Sequence, residues 1–226
     1  MNELNTAKDY DNHFSQNFSL LKNIFLTILT IIIFLAGVVV YGMILNLRDV
    51  TLQESMNKLG LDSLKNVNII VDRKMFTLYL FSDTILVKKY RASFGRNLYD
   101  KKKFFNDGAT PVGSYSICEI IDNHKYHKFL GLNYPSESDI VDALRNGIIN
   151  QKEFDLIYRD LINGHCPTDK TILGGKIGIH GTGRFNFFLS NLPFVFNWTN
   201  GSIALSDKHI DELFDIISKG TKVVIK

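Results

Sequence analysis

Two segments bring together residue types that can carry acyl chemistry. Ile177-Gly-Ile-His-Gly-Thr182 is an apolar, strand-like run that delivers His180 to its end beside Gly181. Trp198-Thr-Asn-Gly-Ser-Ile-Ala-Leu-Ser-Asp207 presents Ser202 from a glycine-containing turn, just ahead of a short apolar stretch and a helix start. A nucleophile in such a turn has exposed backbone N–H groups beside it, the arrangement an oxyanion hole needs, and a nearby histidine can act as general base. Residue types alone make a weak case, because a histidine on a strand and a serine in a loop more often have plain structural roles.

The remaining histidines and the cysteines point to less. His124 and His127 form an H-x-x-H pair, and His165 with Cys166 would complete a nominal zinc set, but helical spacing and carboxylate partners are missing, so no metal is expected. His165 reads as a loop residue and His209 as an exposed residue in the first turn of the last helix. Cys118 and Cys166 are too few for a disulfide framework. One bridge in an oxidising compartment, or a free Cys118 acting as a small buried hydrophobe, are both open.

The elements that must position these residues read as a β-meander followed by helices. Val67, Ile69 and Val71 alternate with polar positions, a turn follows at Asp72 to Lys74, and Phe76, Leu78 and Leu80 alternate again. Further strands are expected at Ile85 to Tyr90 and Gly113 to Ile121. Ser136 with Asp139, and Asn150 with Glu153, are capping-box-like pairs that start two helices closed by Gly147 and Gly164. A last helix after Ser206 turns Ile210, Leu213, Phe214 and Ile217 inward and stops at Gly220, and Val223 to Ile225 returns as a strand. The expected fold is mixed β with appended helices, over 67–226.

Ahead of that domain, Ile24 to Leu45 carries no charge. At ~1.5 Å per helical residue such a run covers the ~30 Å hydrocarbon core of a bilayer. It exceeds a signal-peptide h-region and no small-residue cleavage site follows, so an uncleaved single span over 24–45 is expected, with a polar, poorly ordered tail at 1–23 and a linker or amphipathic stalk at 46–66. Lys8 and Lys22 before the span, and Arg48, Lys58 and Lys65 after it, leave its orientation undecided by charge. A formal net charge of +3 lacks the dense basic stripes of a nucleic-acid binder, and Lys101 to Lys103 reads as a solvated loop.

Several motifs in one order resemble the L,D-transpeptidase (YkuD-like) family of bacterial cell-wall enzymes. Val71-Asp-Arg73 through Leu78-Tyr-Leu80 is similar to its first hairpin, and Phe94-Gly-Arg-Asn97 to its turn after the third strand. Asp107-Gly-Ala-Thr-Pro-Val-Gly-Ser-Tyr115 resembles its Gly-x-Thr-Pro-x-Gly-x-Tyr loop. Tyr126-His127 with Leu130-Gly-Leu132 is similar to a segment near its substrate cleft, and the His180 and Ser202 segments look like its catalytic signature, in the variant with Asn200 in place of the second motif histidine.

The resemblance implies acyl transfer on tetrapeptide stems of peptidoglycan without a cofactor, by a domain outside the cytoplasm on a bacterial inner membrane. His180 would be the base, Gly181 would shape the loop beside it, and Gly201 with Ser202 would supply oxyanion-hole N–H groups. Tyr126, His127, Trp198 and Asn200 would contact substrate. Ser202 stands where the family has its nucleophilic cysteine. A thiol of pKa ~8.5 offers some thiolate at neutral pH, whereas a hydroxyl must lose its proton during attack. An inactivating substitution, a natural binding or scaffolding module without catalysis, and a serine enzyme with a re-tuned base all remain open, as does the oligomeric state.

Overall fold

A computed structural model describes residues 2–226, with side chains from Ser19 onward. The first helix, α1 (Asn2–Asn46), includes Ser19–Asn46, a 28-residue stretch of mean hydropathy 2.8 that is long and apolar enough to cross a membrane. Ile24, Phe25, Ile28, Ile32 and Phe34 all stand exposed. A helix apolar on every side with such side chains exposed has the character of a lipid-facing element. Helix is assigned from Asn2 rather than the expected irregular tail, and most of the tail's side chains lie outside the described residues.

Arg48–Ser190 and Phe194–Lys226 form a compact unit of their own. Its sheet runs β3 (Ile85–Arg91), β2 (Thr77–Ser82), β1 (Val67–Asp72), β8 (Lys222–Ile225), β4 (Gly113–His124), β5 (His127–Leu132), β6 (Gly178–His180), β7 (Ile203–Ala204). Pairing is antiparallel except at β1–β8 and β6–β7. Ser93 bridges back to Ala204, so the chain leaving β3 meets β7 and the sheet curls towards closure. The alternating apolar positions face inward as expected: Ile69, Val71, Leu78, Leu80, Val223 and Ile225 are buried in one core.

The expected stalk belongs to this core. Helix α2 (Leu52–Leu59) begins with a complete Thr51/Glu54 capping box and buries Leu52 and Met56 among the sheet residues. Leu59 faces out, so only two of the three helically spaced apolar residues form the contact. Helices α3 (Glu137–Arg145) and α4 (Gln151–Ile162) start at the predicted capping boxes and pack into a second cluster around Ile140 and Ile157. Helix α5 (Asn186–Ser190) is short, and α6 (Asp207–Phe214) is capped by Ser206. It ends well before Gly220, whose N–H instead donates to Ile117 O, and Ile217 is buried beyond the helix.

One further expectation is revised, and one open alternative is decided. Lys102 is no solvated lysine: its side chain is 3% exposed and its Nζ lies 2.8 Å from Asp107 Oδ1. Asp107 also accepts the N–H groups of Lys103, Phe104 and Ala109, which folds this loop around one carboxylate. Cys118 is not free but bonded to Cys166, which ties β4 to the loop that follows α4.

Candidate active site

His180 ends β6 with its side chain 3% exposed. Its Nδ1 lies 2.6 Å from Gly181 O, and since a carbonyl only accepts, Nδ1 carries the hydrogen and Nε2 keeps the lone pair. That is the tautomer a general base needs. Burial pulls the pKa of the ring down to about 4, against the opposing effect of the Gly181 hydrogen bond, so the ring is neutral at pH 7. Tyr126 stacks on it at 4.7 Å between ring centroids, and Trp198 meets it edge-on at 5.8 Å.

The loop beyond His180 is gripped by a carboxylate from α6. Asp207 Oδ1 accepts from Thr182 N at 2.7 Å and Gly183 N at 2.9 Å, and Asp207 N donates to Asn186 Oδ1 at 2.9 Å. Gly181 is required there: a Cβ would lie 2.5 Å from Asp207 Oδ1 and 2.7 Å from Tyr126 O. In the sequence Asp207 signals only a helix start; its hold on the histidine loop depends on the fold bringing α6 to the end of β6.

Ser202 immediately precedes β7, in parallel register with β6 (Ile179↔Ile203, His180↔Ala204). The period of two puts Ser202 and His180 on one face of neighbouring strands. Gly178 N donates to Ser202 Oγ at 3.3 Å, while His180 Nδ1 is committed to Gly181, so each group is held by backbone. Thr199 Oγ1 closes the turn by donating to Ser202 O at 2.5 Å and accepting from Gly201 N at 3.3 Å. The Gly201 N–H is thereby turned into its own loop, in contrast to its expected oxyanion-hole role. Gly201 has φ +121° and would place a Cβ 2.7 Å from Ala109 O, so no other residue fits without strain.

His180 and Ser202 line one cavity of about 620 Å³ together with Tyr126, Trp198, Thr199 and Asn200. Asn200 is held by two side chains, donating to Asn106 Oδ1 and accepting from Arg96 Nη2 at 3.4 Å. Trp198 Nε1–H is buried with no acceptor among the described residues. His127 is not part of the lining: on the far side of a two-residue turn, its Nε2 lies 2.7 Å from Asp211 Oδ1. His124 takes its place, 6.3 Å from the His180 ring centroid. Its Nδ1 accepts Tyr126 N–H, which leaves Nε2–H as the donor, and burial lowers its pKa. Only the H-x-x-H spacing hinted at His124, and the turn between the two rings sends them to different neighbours.

The model of the L,D-transpeptidase catalytic domain, YkuD, matches residues 66–225. The chain belongs to this family. Among curated proteins none matches the sequence. Solved structures found as similar include an L,D-transpeptidase from Xylanimonas cellulosilytica, at 14% identity over 78% of this chain and 70% of that one, with a TM-score of 0.43. The helical cell shape determining protein Pgp2 from Campylobacter jejuni is 18% identical over 78% of this chain and 55% of its own, with a TM-score of 0.45. Bd1075 from Bdellovibrio bacteriovorus is 18% identical over 72% and 48%, with a TM-score of 0.44. The chain thus spans about half the length of the latter two. The match begins at Asn66, and α2 packs onto the matched region from outside it.

Proposed function

We propose that this L,D-transpeptidase domain receives peptidoglycan stem peptides in the His180–Ser202 cavity, outside a bacterial inner membrane, and that serine in place of the thiol impairs acyl transfer there. The observation that carries the proposal is the separate hydrogen bonding of the two groups: Ser202 Oγ meets Gly178 N–H, and the His180 ring, buried and with its pKa lowered to about 4, holds Gly181. A base this weak, not bonded to the hydroxyl it must deprotonate, suits an alcohol poorly. In the family's reaction the nucleophile attacks the carbonyl of the third stem residue, meso-diaminopimelate or L-lysine. Its proton passes to the histidine and then to the leaving D-alanine amine, and an amine or water captures the acyl-enzyme. Tyr126 and Trp198 supply an apolar wall for the peptide, and Trp198 Nε1–H a donor without an acceptor among the described residues.

The neutral tautomer of His180, with its Nε2 lone pair available, favours a second reading, a serine enzyme working through a re-tuned base. Intact-mass measurement after incubation with a carbapenem and with a tetrapeptide stem separates the two. The proposal expects binding without adduct for the serine form and an adduct for Ser202→Cys. Turnover by the serine form at a rate comparable to the cysteine form overturns it.

Helix α1 acts in this reading as a single-pass anchor, with its N-terminal end in the cytoplasm. The Cys118–Cys166 bond supports an outside location, because disulfides persist in oxidising compartments. Alkaline phosphatase fused after Lys226 is then active; an inactive fusion, with a cytoplasmic reporter active at the same point, reverses the topology.

A further inference from the structure

One row of residues crosses four strands from Ser202 to the far wall of the cavity. Glu119 on β4 pairs with Gly131 on β5, and Gly131 pairs with Gly178 on β6. The β6–β7 register, Ile179↔Ile203, continues the row to Ser202, whose Oγ accepts from Gly178 N. Directly paired residues present their side chains on one face of a sheet, so Glu119 and Ser202 look into the same space across three strand spacings, about 14 Å. Both line the cavity.

Between them the row carries no side chain of its own. Glycine inside a strand marks the close approach of another group, and here that group is the Phe129 ring. A Cβ at Gly178 would lie 2.6 Å from Cε2 and Cζ of the ring, and one at Gly131 would lie 3.0 Å from its Cε1 and 3.1 Å from Glu119 Cβ. The two glycines thus seat an aromatic floor between the nucleophile position and a carboxylate. Charge is distributed as unevenly as shape. Glu119 is the single acidic residue of the lining, stands exposed, and makes no hydrogen bond or ion pair with any described residue. The lining lysines do not cancel it: Lys102 is committed to Asp107 and Lys176 to Asp169, each at 2.8 Å, and Lys125 lies 4.8 Å over the Tyr126 ring, at the His180 end. An unpaired carboxylate at the end of an apolar floor is complementary to a cation carried on a chain of methylenes.

We infer that Glu119 receives the side-chain ammonium of the third stem residue, whose methylenes cross Phe129 while its carbonyl stands at Ser202. The inference rests on the stem-peptide reading of the cavity given above. An approach of roughly 3 Å at Ser202 and a charge-assisted hydrogen bond of about 2.8 Å at Glu119 leave a gap that the glutamate side chain and four methylenes bridge. Glu119 is then a specificity-determining residue: it selects stems by the charge of the third side chain and sets the direction in which the stem lies.

The test follows the fluorescence of Trp198, the chain's single tryptophan, which lines the cavity. The full chain in detergent micelles is titrated with two tetrapeptide stems that differ only at the third residue, L-lysine in one and L-6-hydroxynorleucine, an uncharged counterpart of the same length, in the other. The lysine stem is expected to bind about three- to fivefold more tightly, by a margin that narrows as salt is raised. Glu119→Gln, at an exposed position that leaves the fold intact, is expected to bind both stems as the wild type binds the uncharged one. If the wild type binds the two stems alike, or if Glu119→Gln keeps the preference, the inference is wrong and the cavity reading stands, because Trp198 still reports the stem. If neither stem changes Trp198 fluorescence in protein shown to be folded by circular dichroism, the cavity reading fails and the inference fails with it.

Discussion

His180 and Ser202 stand on adjacent strands but are supported in different ways. The histidine is buried, stacked on Tyr126, fixed in one tautomer by Gly181 and followed by a loop that Asp207 grips from another element. The serine is half-buried, in a turn that Thr199 closes from within, and its hydroxyl meets a single backbone N–H from Gly178. The base is thus held by residues distant in sequence, while the nucleophile position depends on its own turn and on the loop that delivers β6. Exchanging sulfur for oxygen touches none of the histidine's supports. The fold can therefore keep a complete base beside a nucleophile that has changed chemistry.

The largest expected effect breaks the serine side. Reducing Cys118–Cys166, whose cysteines lie 48 positions apart, removes about 4 kcal/mol of stabilisation by the chain-entropy account. At ~2–4 °C per kcal/mol for a chain of this size, Tm falls by roughly 8–16 °C under dithiothreitol. The loop from Cys166 to Gly178 loosens first, and amide exchange at Leu173 to Gly178 rises before that at Thr182 and Gly183. Uniform exchange across both loops counts against the contrast.

Protonation of His180 probes the other side. The folded pKa, about 4, lies below the unfolded value near 6.5, so between these the unfolded chain binds the proton and the folded one does not. The stabilisation is complete above pH 6.5 and is lost as pH falls towards 4, on the order of 3 kcal/mol. Urea titrations from pH 7 to pH 4 show it as the extra loss in the wild type over His180→Gln. Equal slopes in the two proteins mean that His180 is not buried neutral.

Asp207→Ala strands two backbone N–H groups and is expected to cost roughly 2–3 kcal/mol. Asp207→Asn keeps the accepting oxygen and stays within about 1 kcal/mol of the wild type. Nitrogen-15 shifts of the His180 ring resolve the role: the alanine form loses the single Nδ1–H tautomer and the asparagine form retains it. Ser202→Cys has the smallest effect on stability, under about 1 kcal/mol, because sulfur adds little volume. It gives a carbapenem adduct that Ser202→Cys with His180→Ala mostly loses, since His180 then no longer promotes the thiolate.

The sequence made the local devices plain. Capping boxes at Ser136 and Asn150, the Ser206 cap, the first hairpin and the apolar span are set by residues within a few positions of one another, and each stands where its pattern put it. Strand β5 and the two-residue β7 escaped notice, because Gly131 interrupts one and the other is too short to show a period. The motifs marked His180, Ser202, Tyr126, Trp198 and Asn200, all of which line the cavity. They could not separate His124 from His127, since a tight turn decides which ring faces inward, nor reveal Asp207, whose partners are 24 and 25 positions away. Lys102 looked solvated because its burial depends on Asp107 closing the loop over it.

The place of β8 in the sheet sets a timetable for biosynthesis. It lies between β1 and β4, pairing Val71 with Ile225 in parallel register, so the sheet's centre joins segments about 150 residues apart. At roughly 5–20 residues per second, the first hairpin waits something like ten to thirty seconds for its neighbour. Through that interval β1 offers an open edge, and the two sides of the sheet cannot share a core. The domain's sheet is thus completed only after β8 has been made.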